Sequence, residues 1–306
     1  MTDTVIFFIV VTFNGLKWID KSIKSIYNNN CENIILIDNA STDGTVKYIK
    51  ENFPLIKLIE LDKNTGFGVA NNIGIKIALE NNCDYVFLLN QDAYLEQNTL
   101  SNLISEIRLA PNLGILSPLH LNRAGCAFDK GFLIHLFNGS DGSFVDNLYF
   151  NSLKSIYIVP FVNAAAWLIS KHCLEKVGLF EPLFFHYGED NNYCQRVIYH
   201  GLEIGITTNA VMYHNREYRM SKEPKFIEKE DLKHLLINVC DPFKDTKKEI
   251  ERCLKYIQWE MLKFLIKIDF NRFYKTMSKY KFISSRKKDI INNTLNNKRG
   301  SFNKIQ

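Results

Sequence analysis

The sequence of 306 residues predicts an α/β fold in which a largely parallel sheet carries helices on both faces. Over about the first 115 residues, short apolar runs rich in β-branched and aromatic residues alternate with segments of helical spacing, which is the pattern of βαβ units. From residue 246 onward, apolar side chains recur every three or four positions, as in an amphipathic helix. These observations predict a sheet domain followed by a C-terminal amphipathic helical segment.

Four apolar runs predict the buried parallel strands of the first half. They are VIFFIVVTFN, NIILID, IKLIEL and DYVFLLNQD. Between the runs, apolar residues return on one helix face, at Leu16, Ile19, Ile23 and Ile26 and again at Val69, Ile73 and Ile77. Each predicted strand is therefore followed by a polar turn and a helix.

The second half carries fewer periodic signals. Residues 118–157 are rich in Gly, Asn, Asp and Phe without a clear period, which favours an irregular or antiparallel insertion. The run IYIVPFVNAAAWLIS predicts a core strand leading into a helix near His172, and residues 231–240 predict a short helix. The apolar positions of the C-terminal helix are Ile250, Leu254, Ile257, Met261, Leu265 and Ile268. We expect the polar end, NNTLNNKRGSFNKIQ, to fray. We divide the whole chain into a sheet domain at residues 1–230 and a helical, basic segment at residues 231–306.

The charge of the chain is unevenly distributed. The net charge is +5, but residues 247–306 contain 16 Lys and Arg against 5 Asp and Glu, whereas residues 1–246 contain 22 against 28. A basic C-terminal segment indicates an acidic partner, either an anionic membrane surface or nucleic acid. Nucleic acid is the less favoured partner because the aromatic residues lie on the apolar stripe and are not interleaved for base stacking. The alternative is an ordinary solvated face on a helix that packs on the domain or on a second subunit of a homodimer.

Cysteine usage and hydropathy bear on the compartment. The seven cysteines are scattered and lack any CxxC spacing, which argues against a disulfide framework or a zinc site. The first apolar run follows MTDT, which has no basic residue, and no stretch reaches membrane-spanning length. We therefore expect a cytoplasmic protein, with the basic segment placing it peripherally on the inner face of the plasma membrane.

Polar clusters follow the ends of several predicted strands. They are Thr12–Asn14, Asp38–Asn39, Asn64 and Asn90–Asp92. Because ligands bind at the carboxyl ends of the strands in such sheets, these clusters should converge on one crevice. Asp38 could accept hydrogen bonds from a pyrimidine imide or from ribose hydroxyls, or it could only shape the turn before the next helix. The pair Gly66 and Gly68 does not complete a dinucleotide fingerprint, so we reject an NAD site.

The triplet NQD and one histidine are the candidate metal ligands. A hard divalent cation takes carboxylate and amide oxygens, and Asp92 and Asn90 offer both. His214 in VMYHNR could add a nitrogen ligand, although a lone histidine is more often a hydrogen-bonded structural residue. A polar strand end without any ion is the alternative for the triplet.

The adjacent carboxylates Glu189 and Asp190 precede a helical segment. One of them could act as a general base, because burial and a neighbouring negative charge raise a carboxyl pKa towards neutrality. The alternative is that Asp190 only interacts favourably with the helix dipole. Phe185 and Trp167 suit the apolar face of a sugar ring, with core packing as the alternative for each.

Six motifs resemble, in order, those of the inverting family 2 glycosyltransferases of the GT-A fold. They are VVTFN, IDNASTDGT, NTGFGVANNIG, LLNQD, VGLFEPLFFHYGEDNNYCQRV and VMYHN, and they cover about residues 5–216. The DNAS turn and the NxD triplet are most similar to the rhamnosyltransferase branch of surface-polysaccharide synthesis. The resemblance implies a mixed sheet with flanking helices and transfer of a sugar from a UDP- or dTDP-sugar to a glycan or lipid-linked acceptor.

The resemblance also implies roles for individual residues. The nucleotide-binding set is Thr12, Asn14, Asp38, Asn64, Asn72 and Asn90. Asp92 would hold Mg²⁺ or Mn²⁺ with the help of His214. Asp190 would be the base, and Glu189, Trp167 and Phe185 would contact the acceptor. Asn90 departs from the family, which often has a carboxylate at the first position of this triplet.

Two other functions share such a crevice. A non-catalytic nucleotide-sugar binder would not need the carboxylate pair. A sugar-1-phosphate nucleotidyltransferase usually has an early phosphate-binding loop rich in Gly and Arg, and residues 10–20 show no such loop.

Overall fold

The computed structural model describes residues 4–140, 142–185, 187–215 and 224–300, with the side chains of residues 224–231 left aside. These residues form one sheet of nine strands and twelve helices. The strands are β1 (Ile6–Thr12), β2 (Ile34–Asp38), β3 (Lys57–Glu60), β4 (Tyr85–Asn90), β5 (Ala93–Leu95), β6 (Leu113–Asn122), β7 (Ile156–Ile158), β8 (Ala166–Ser170) and β9 (Glu203–His214). The helices are α1 (Ile19–Tyr27), α2 (Thr45–Asn52), α3 (Phe67–Glu80), α4 (Thr99–Leu109), α5 (Lys130–Gly139), α6 (Ser143–Tyr149), α7 (Lys171–Val177), α8 (Glu189–Tyr199), α9 (Pro224–Val239), α10 (Thr246–Ile266), α11 (Phe270–Ser285) and α12 (Lys287–Arg299).

The first four predicted strands are confirmed as parallel neighbours. The sheet order is β3-β2-β1-β4-β8-β6-β9-β5, and β7 pairs with β9. β1 lies between β2 and β4, with Thr12 opposite Asp38 and Val11 opposite Asn90. This register brings the polar carboxyl ends of three strands to one edge of the sheet, as the sequence predicts.

The second half of the sheet is mixed, in agreement with the GT-A expectation. β8 runs antiparallel to β4 and β6, and β5 runs antiparallel to β9. The β5–β9 pair sets Ala93 opposite His214. The end of β9 therefore reaches the loop that follows β4.

The prediction of an irregular or antiparallel insertion at 118–157 is partly wrong. Residues up to Asn122 continue β6, which is parallel to β9, and residues 130–149 contain α5 and α6. Antiparallel pairing occurs at the short β7 and at an isolated bridge between Leu121 and Phe128. α5 buries Phe132 and Leu136 in the core but also exposes Leu133, Ile134 and Phe137, so its sequence lacks the polar face that would reveal a helical period.

The core has three parts. Two clusters cover the two faces of the sheet, one including Ile9 and Trp167 and the other including Phe8 and Leu36. A third cluster lies between the C-terminal helices and the loop before α8, where Phe184 packs with Leu236, Val239, Ile250, Ile257, Ile283 and Ile290.

The C-terminal amphipathic helix is confirmed as α10, but its apolar stripe is buried only at its start. Ile250 and Ile257 are buried, whereas Leu265 and Ile268 are exposed. The expected fraying is wrong for residues 292–299, which belong to α12, and residues 301–306 lie outside the described part. None of the helices in the described segments is long and apolar enough to cross a bilayer.

Candidate active site

Asp38 ends β2 in a buried position with one carboxylate oxygen unsatisfied. Its side chain is 1% exposed, and Oδ2 accepts a hydrogen bond from the backbone N–H of Ser41 at 2.8 Å. Oδ1 is buried without a hydrogen-bond partner among the described residues. Because a buried acceptor without a donor is costly, this oxygen suits a ligand that brings a donor.

Gln91 joins the ends of β1 and β4. Its Oε1 accepts from Thr12 Oγ1 at 2.7 Å and from the Phe13 N–H at 3.0 Å, and its Nε2 donates to the Phe13 carbonyl at 3.2 Å. A side chain at Gly15 would overlap both Thr12 and Gln91. Thr12 thus lies at the sheet edge but uses its hydroxyl proton within the protein.

Asn14 and Asn64 shape the loops that surround this edge. Asn14 Oδ1 accepts from the Thr42 N–H at 2.8 Å, and Asn14 N–H donates to Ser41 Oγ at 2.8 Å. Asn64 Oδ1 accepts from the Gly66 N–H at 2.9 Å, immediately before α3. Both asparagines therefore have an amide oxygen in use, and the nucleotide role remains a prediction for each.

The structure corrects the role of Asn72. Its Nδ2 donates to the Phe180 carbonyl at 2.9 Å and its Oδ1 accepts from the Phe180 N–H at 2.8 Å. Both ends of this buried amide are committed to backbone, so Asn72 fixes α3 to the loop before α8 and does not bind the nucleotide.

Asp92, His214 and Asp129 form a row at the end of β9. The Asn215 N–H donates to the Asp92 carbonyl at 2.8 Å, and Asp92 Oδ1 lies 3.4 Å from His214 Nε2. On the opposite edge of the imidazole, Asp129 Oδ2 lies 3.7 Å from Nδ1. His214 is 3% exposed, and its Nδ1 has no hydrogen-bond partner among the residues that the structure describes.

These residues fit a divalent cation that obtains its remaining ligands from a bound diphosphate. The carboxylate of Asp92 and Nε2 of His214 offer one oxygen and one nitrogen side by side, and Asp129 on Nδ1 is the kind of carboxylate that orients a metal-binding histidine. Within the described ranges, no group of three or more His, Cys, Asp and Glu side chains could hold a metal ion. Two protein ligands leave several positions for phosphate oxygens and water, as Mg²⁺ and Mn²⁺ sites on nucleotides require.

Glu189 and Asp190 begin α8 behind two residues with positive φ. Tyr187 has φ +68° and Gly188 has φ +95°, so the chain turns sharply into the helix. Asp190 accepts from the Asn191 N–H at 2.8 Å and also from the backbone N–H of Ala164 in the loop before β8. Glu189 is 5% exposed, and its Oε2 is buried without a hydrogen-bond partner in the described part of the chain.

The environment separates the two carboxyl groups. Burial, followed by the charge of Asp190, raises the pKa of Glu189 to about 8, and burial also raises the pKa of Asp190. Hydrogen bonds from Asn191 and Ala164 oppose the shift at Asp190, because they favour its charged form. Lys233 of α9, beside Gly188, lowers the pKa of both groups. The pKa of Glu189 is therefore raised with no hydrogen bond from another residue to oppose the shift, whereas Asp190 has two backbone donors that favour its carboxylate.

The two aromatic residues predicted to contact the acceptor differ in position. Trp167 is fully buried, with ring centroids 6.1 Å from Phe180 and 5.9 Å from Tyr193, so its ring cannot reach a sugar and the prediction is wrong. Its place in the middle of β8 explains the burial. Phe185 is 59% exposed, and its role remains a prediction.

A closed circuit of contacts links the loops around the sheet edge. Asn39, which follows β2, connects two of these loops. Its backbone N–H donates to the Thr12 carbonyl at the end of β1, and its Nδ2 donates to the Gly66 carbonyl immediately before α3. Gly66 lies against the carbonyl of Phe185, on the loop that leads to Asp190.

The circuit closes on the other side of the edge. Asp190 accepts from Ala164, and the next residue, Ala165, accepts from the Asn90 N–H at 2.9 Å. Gln91, the residue after Asn90, accepts a hydrogen bond from the Thr12 hydroxyl, which brings the series of contacts back to the end of β1. The loops carrying Asp38, Asp92 and Asp190 therefore surround the same edge, although they are distant in sequence.

Four residues near this edge were missed by reasoning from the sequence. Gln91 and Asp129 contact predicted site residues, and the charge of Lys233 acts on Asp190. Asn163 has a buried Oδ1 without a hydrogen-bond partner in the described part of the chain. Gln91 could have been found from its place between Asn90 and Asp92. The other three come from loops or helices with no local signal.

The N-terminal part of the chain is similar to a known family. Residues 7–121 match the model of Glycosyl transferase family 2. This stretch is therefore similar to the domain of that family, and the match ends before β8, α8 and β9.

Two characterised relatives are similar over a longer stretch. The dTDP-rhamnosyl transferase RfbF of Shigella flexneri is 25% identical over 211 residues, which is 68% of each chain. The N-acetylglucosaminyl-diphospho-decaprenol L-rhamnosyltransferase of Mycobacterium tuberculosis is 22% identical over 211 residues, covering 62% of this chain and 69% of the relative.

Solved structures define the fold as GT-A. The mannosyltransferase PcManGT from Pyrobaculum calidifontis, in complex with GDP-Man and Mn²⁺, superposes with a TM-score of 0.57 at 15% identity, covering 93% of this chain and 87% of that one. At this identity the similarity concerns the architecture alone.

Proposed function

We propose that the protein is an inverting glycosyltransferase that transfers a sugar from a UDP- or dTDP-sugar to a hydroxyl of a glycan or lipid-linked acceptor. The observation that carries the proposal is the circuit of contacts that gathers Asp38, Asp92 and Asp190 at one sheet edge. The two rhamnosyltransferase relatives favour dTDP-rhamnose as the donor and bacterial surface-polysaccharide synthesis as the context.

In the proposed reaction Asp190 is the base. Its carboxylate takes the proton of the acceptor hydroxyl while the oxygen attacks the anomeric carbon from the face opposite the diphosphate. The bond from the anomeric carbon to the diphosphate oxygen breaks in the same step, which inverts the configuration and releases the nucleoside diphosphate. Glu189, protonated at neutral pH, donates a hydrogen bond to the acceptor without adding a second negative charge beside the base.

Asp38 and the metal ligands would hold the donor. Asp38 Oδ1 would accept from the base or ribose of the nucleotide. Asp92 and His214 would hold Mg²⁺ or Mn²⁺, which neutralises charge on the diphosphate when bound. Asp129 would keep His214 in the orientation that presents Nε2.

We place the reaction in the cytoplasm. All seven cysteines are free thiols, and six of them are buried, which suits a reducing compartment. A non-catalytic binder and a nucleotidyltransferase would both leave Asp190 without a role, because neither needs a base for an acceptor hydroxyl.

Release of nucleoside diphosphate tests the proposal. Purified protein is incubated with Mn²⁺, dTDP-rhamnose or UDP-N-acetylglucosamine, and a synthetic N-acetylglucosaminyl-diphospho-polyprenol. We expect acceptor-dependent release, and Asp190→Asn should reduce it by about 10²- to 10⁴-fold while donor binding changes little. Asp20→Asn, which removes a carboxylate paired with Lys24 on α1, is the matched control and should retain activity.

Two results would contradict the proposal. Near-normal turnover by Asp190→Asn would show that another group is the base. Failure of every nucleotide sugar in a wider panel to stabilise the wild-type protein against heat would remove the transferase assignment altogether.

A further inference from the structure

The turn between α10 and α11 exposes a cluster of large apolar side chains. Leu262, Leu265, Ile266, Ile268 and Phe270 are each at least 47% exposed, and we call these five residues the apolar tip. Contiguous exposed apolar residues of this size on a soluble domain mark a surface that is covered by something else.

The apolar stripe of α10 continues past the core on which the helix packs. Ile250, Cys253 and Ile257 face the third core cluster and are buried. The stripe then continues into the apolar tip. There the side chains are exposed, and no core cluster of the described residues includes them. The tip therefore does not contribute to the fold in the way that the first half of the stripe does.

The backbone at Ile268 is an independent observation. This residue has φ +56°, a left-handed conformation that β-branched residues avoid because their Cβ crowds the following carbonyl. Asn or Gly would form this turn more easily. An isoleucine that is 73% exposed and also disfavours its own turn is better explained by a contact of its side chain outside the fold.

The charges around the tip are almost all positive. Residues 255–281 contain seven Lys and Arg against two Asp and Glu. Both acidic residues form ion pairs on the same helices, Glu260 with Lys263 at 2.9 Å and Asp269 with Arg272 at 3.4 Å. An anionic surface would therefore complement the charge around the apolar tip.

We propose that the apolar tip inserts into the surface of an anionic phospholipid bilayer, with the surrounding lysine and arginine side chains on the lipid headgroups. Apolar side chains flanked by basic ones are typical of segments that lie in the membrane interface. Trp259, 54% exposed and covered by Lys263 Nζ at 3.1 Å from its ring centroid, lies one helical turn before the tip, at a position suited to the headgroup region.

A second copy of the chain fits this surface less well. A two-fold contact through the tip would bring two surfaces with the same excess of positive charge together. The proposal does not depend on glycosyl transfer, since its test uses lipid alone and neither donor nor acceptor.

Flotation of the full-length protein with vesicles tests the proposal. Vesicles of phosphatidylcholine mixed with phosphatidylglycerol are compared with vesicles of phosphatidylcholine only. We expect the wild-type protein to float with the anionic vesicles and to remain unbound with the neutral ones. The double variant Ile266→Ser with Ile268→Asn should partition about tenfold more weakly or worse, because two apolar side chains no longer enter the interface.

Thermal stability separates loss of contact from loss of folding. Since Asn suits a positive φ, Ile268→Asn alone should unfold at the same or a higher temperature than the wild type while binding vesicles more weakly. Leu55→Ser with Leu109→Ser is the matched control, because these leucines are 93% and 86% exposed but lie on α2–β3 and α4 surfaces of the sheet domain. The control should float like the wild type.

A charge variant tests the second half of the proposal. Lys255→Gln with Lys267→Gln should weaken flotation with anionic vesicles at least severalfold, whereas Lys57→Gln with Lys76→Gln, on β3 and α3, should not. Three results would overturn the proposal: no flotation of the wild type, equal flotation of the wild type and the Ile266/Ile268 variant, or a wild-type dimer in light scattering that this variant alone dissociates.

Discussion

Glu189 and Asp190 are neighbours in the sequence, but α8 places them in different surroundings. Glu189 is buried with one orphaned oxygen, whereas Asp190 accepts backbone hydrogen bonds from Asn191 and Ala164. The same two residue types could have been a simple pair of acidic residues at a helix start. The pKa of about 8 at Glu189 indicates instead that the fold keeps one proton on the pair.

The stability of the protein should report this proton. The pKa of Glu189 rises from 4.5 in the unfolded chain to about 8 in the folded protein, so the folded state binds the extra proton between these pH values. The free energy of unfolding should therefore fall as pH rises through this window, by at most about 1.4 kcal/mol per pH unit. Glu189→Gln removes this loss, so the variant should gain stability relative to the wild type as pH rises.

Urea denaturation at several pH values from acidic to alkaline measures the effect. Glu51→Gln on α2, which replaces an exposed carboxylate, is the control and should show no such trend relative to the wild type. A Glu189→Gln difference that stays constant with pH would show that Glu189 is ionised in the folded protein.

At the scale of elements, the start of α3 contacts the loop before α8, which leads to Asp190, the proposed base. Gly66 has φ +86°, and a side chain there would overlap the Phe185 carbonyl oxygen. Asn72, one turn further along α3, clamps the backbone of Phe180. The glycine-rich motif NTGFG thus lets α3 pack closely against the loop before α8. From the sequence alone, these glycines had suggested a close approach of the backbone to a nucleotide.

Gly66→Ala should be much more harmful than the same change at Gly142. Both glycines have positive φ, but nothing lies within 4 Å of a Cβ at Gly142. We expect Gly142→Ala to cost about 1 kcal/mol through its backbone, and Gly66→Ala to cost about 1–3 kcal/mol more through overlap. Equal losses of unfolding free energy in urea would show that the loop before α8 can move away from α3.

The elements themselves were largely predictable from the sequence. Strands β1 to β4 and helices α1 and α3 follow apolar periods that depend only on local spacing. The helices α5 and α6 were not predictable, because α5 has apolar residues on its exposed side as well as its buried side and therefore lacks that period, and α6 has only seven residues. Trp167 was misassigned for a related reason: an aromatic residue looks the same in a core strand and beside a ligand until its burial is known.

On the scale of the whole molecule, the C-terminal helices are joined to the segment that carries Glu189 and Asp190. Phe184 lies in one apolar cluster with Ile250 and Ile283, and Asn192 Nδ2 of α8 donates to the Cys240 carbonyl at 3.2 Å. Asn293 and Asn297 of α12 donate to the buried carboxylate of Glu181 at 2.8 and 3.0 Å. The sheet and the C-terminal helices should therefore unfold together.

Ile250→Ala tests this coupling. Ile250 is fully buried in the shared cluster, so the truncation should destabilise the protein by about 2–4 kcal/mol and shift one common unfolding transition. Ile266→Ala, at a position 73% exposed, should change stability by less than about 0.5 kcal/mol. Two calorimetric transitions, with only one of them moved by Ile250→Ala, would show that the C-terminal helices fold independently.

The sequence by itself determined the order of strands and helices from β1 to β4, the family 2 motifs and the residue types at the ends of those strands, because these depend on short-range periods and local turn chemistry. Only the tertiary structure decided which polar groups are satisfied within the protein and which are not. Asn72 and Asp38 are both buried polar residues, yet the first has its whole amide bonded to Phe180 and the second keeps an oxygen without a hydrogen-bond partner in the described part of the chain. The partners of a buried polar group come from chain segments far away in sequence, so its role is fixed by packing and not by the motif that contains it.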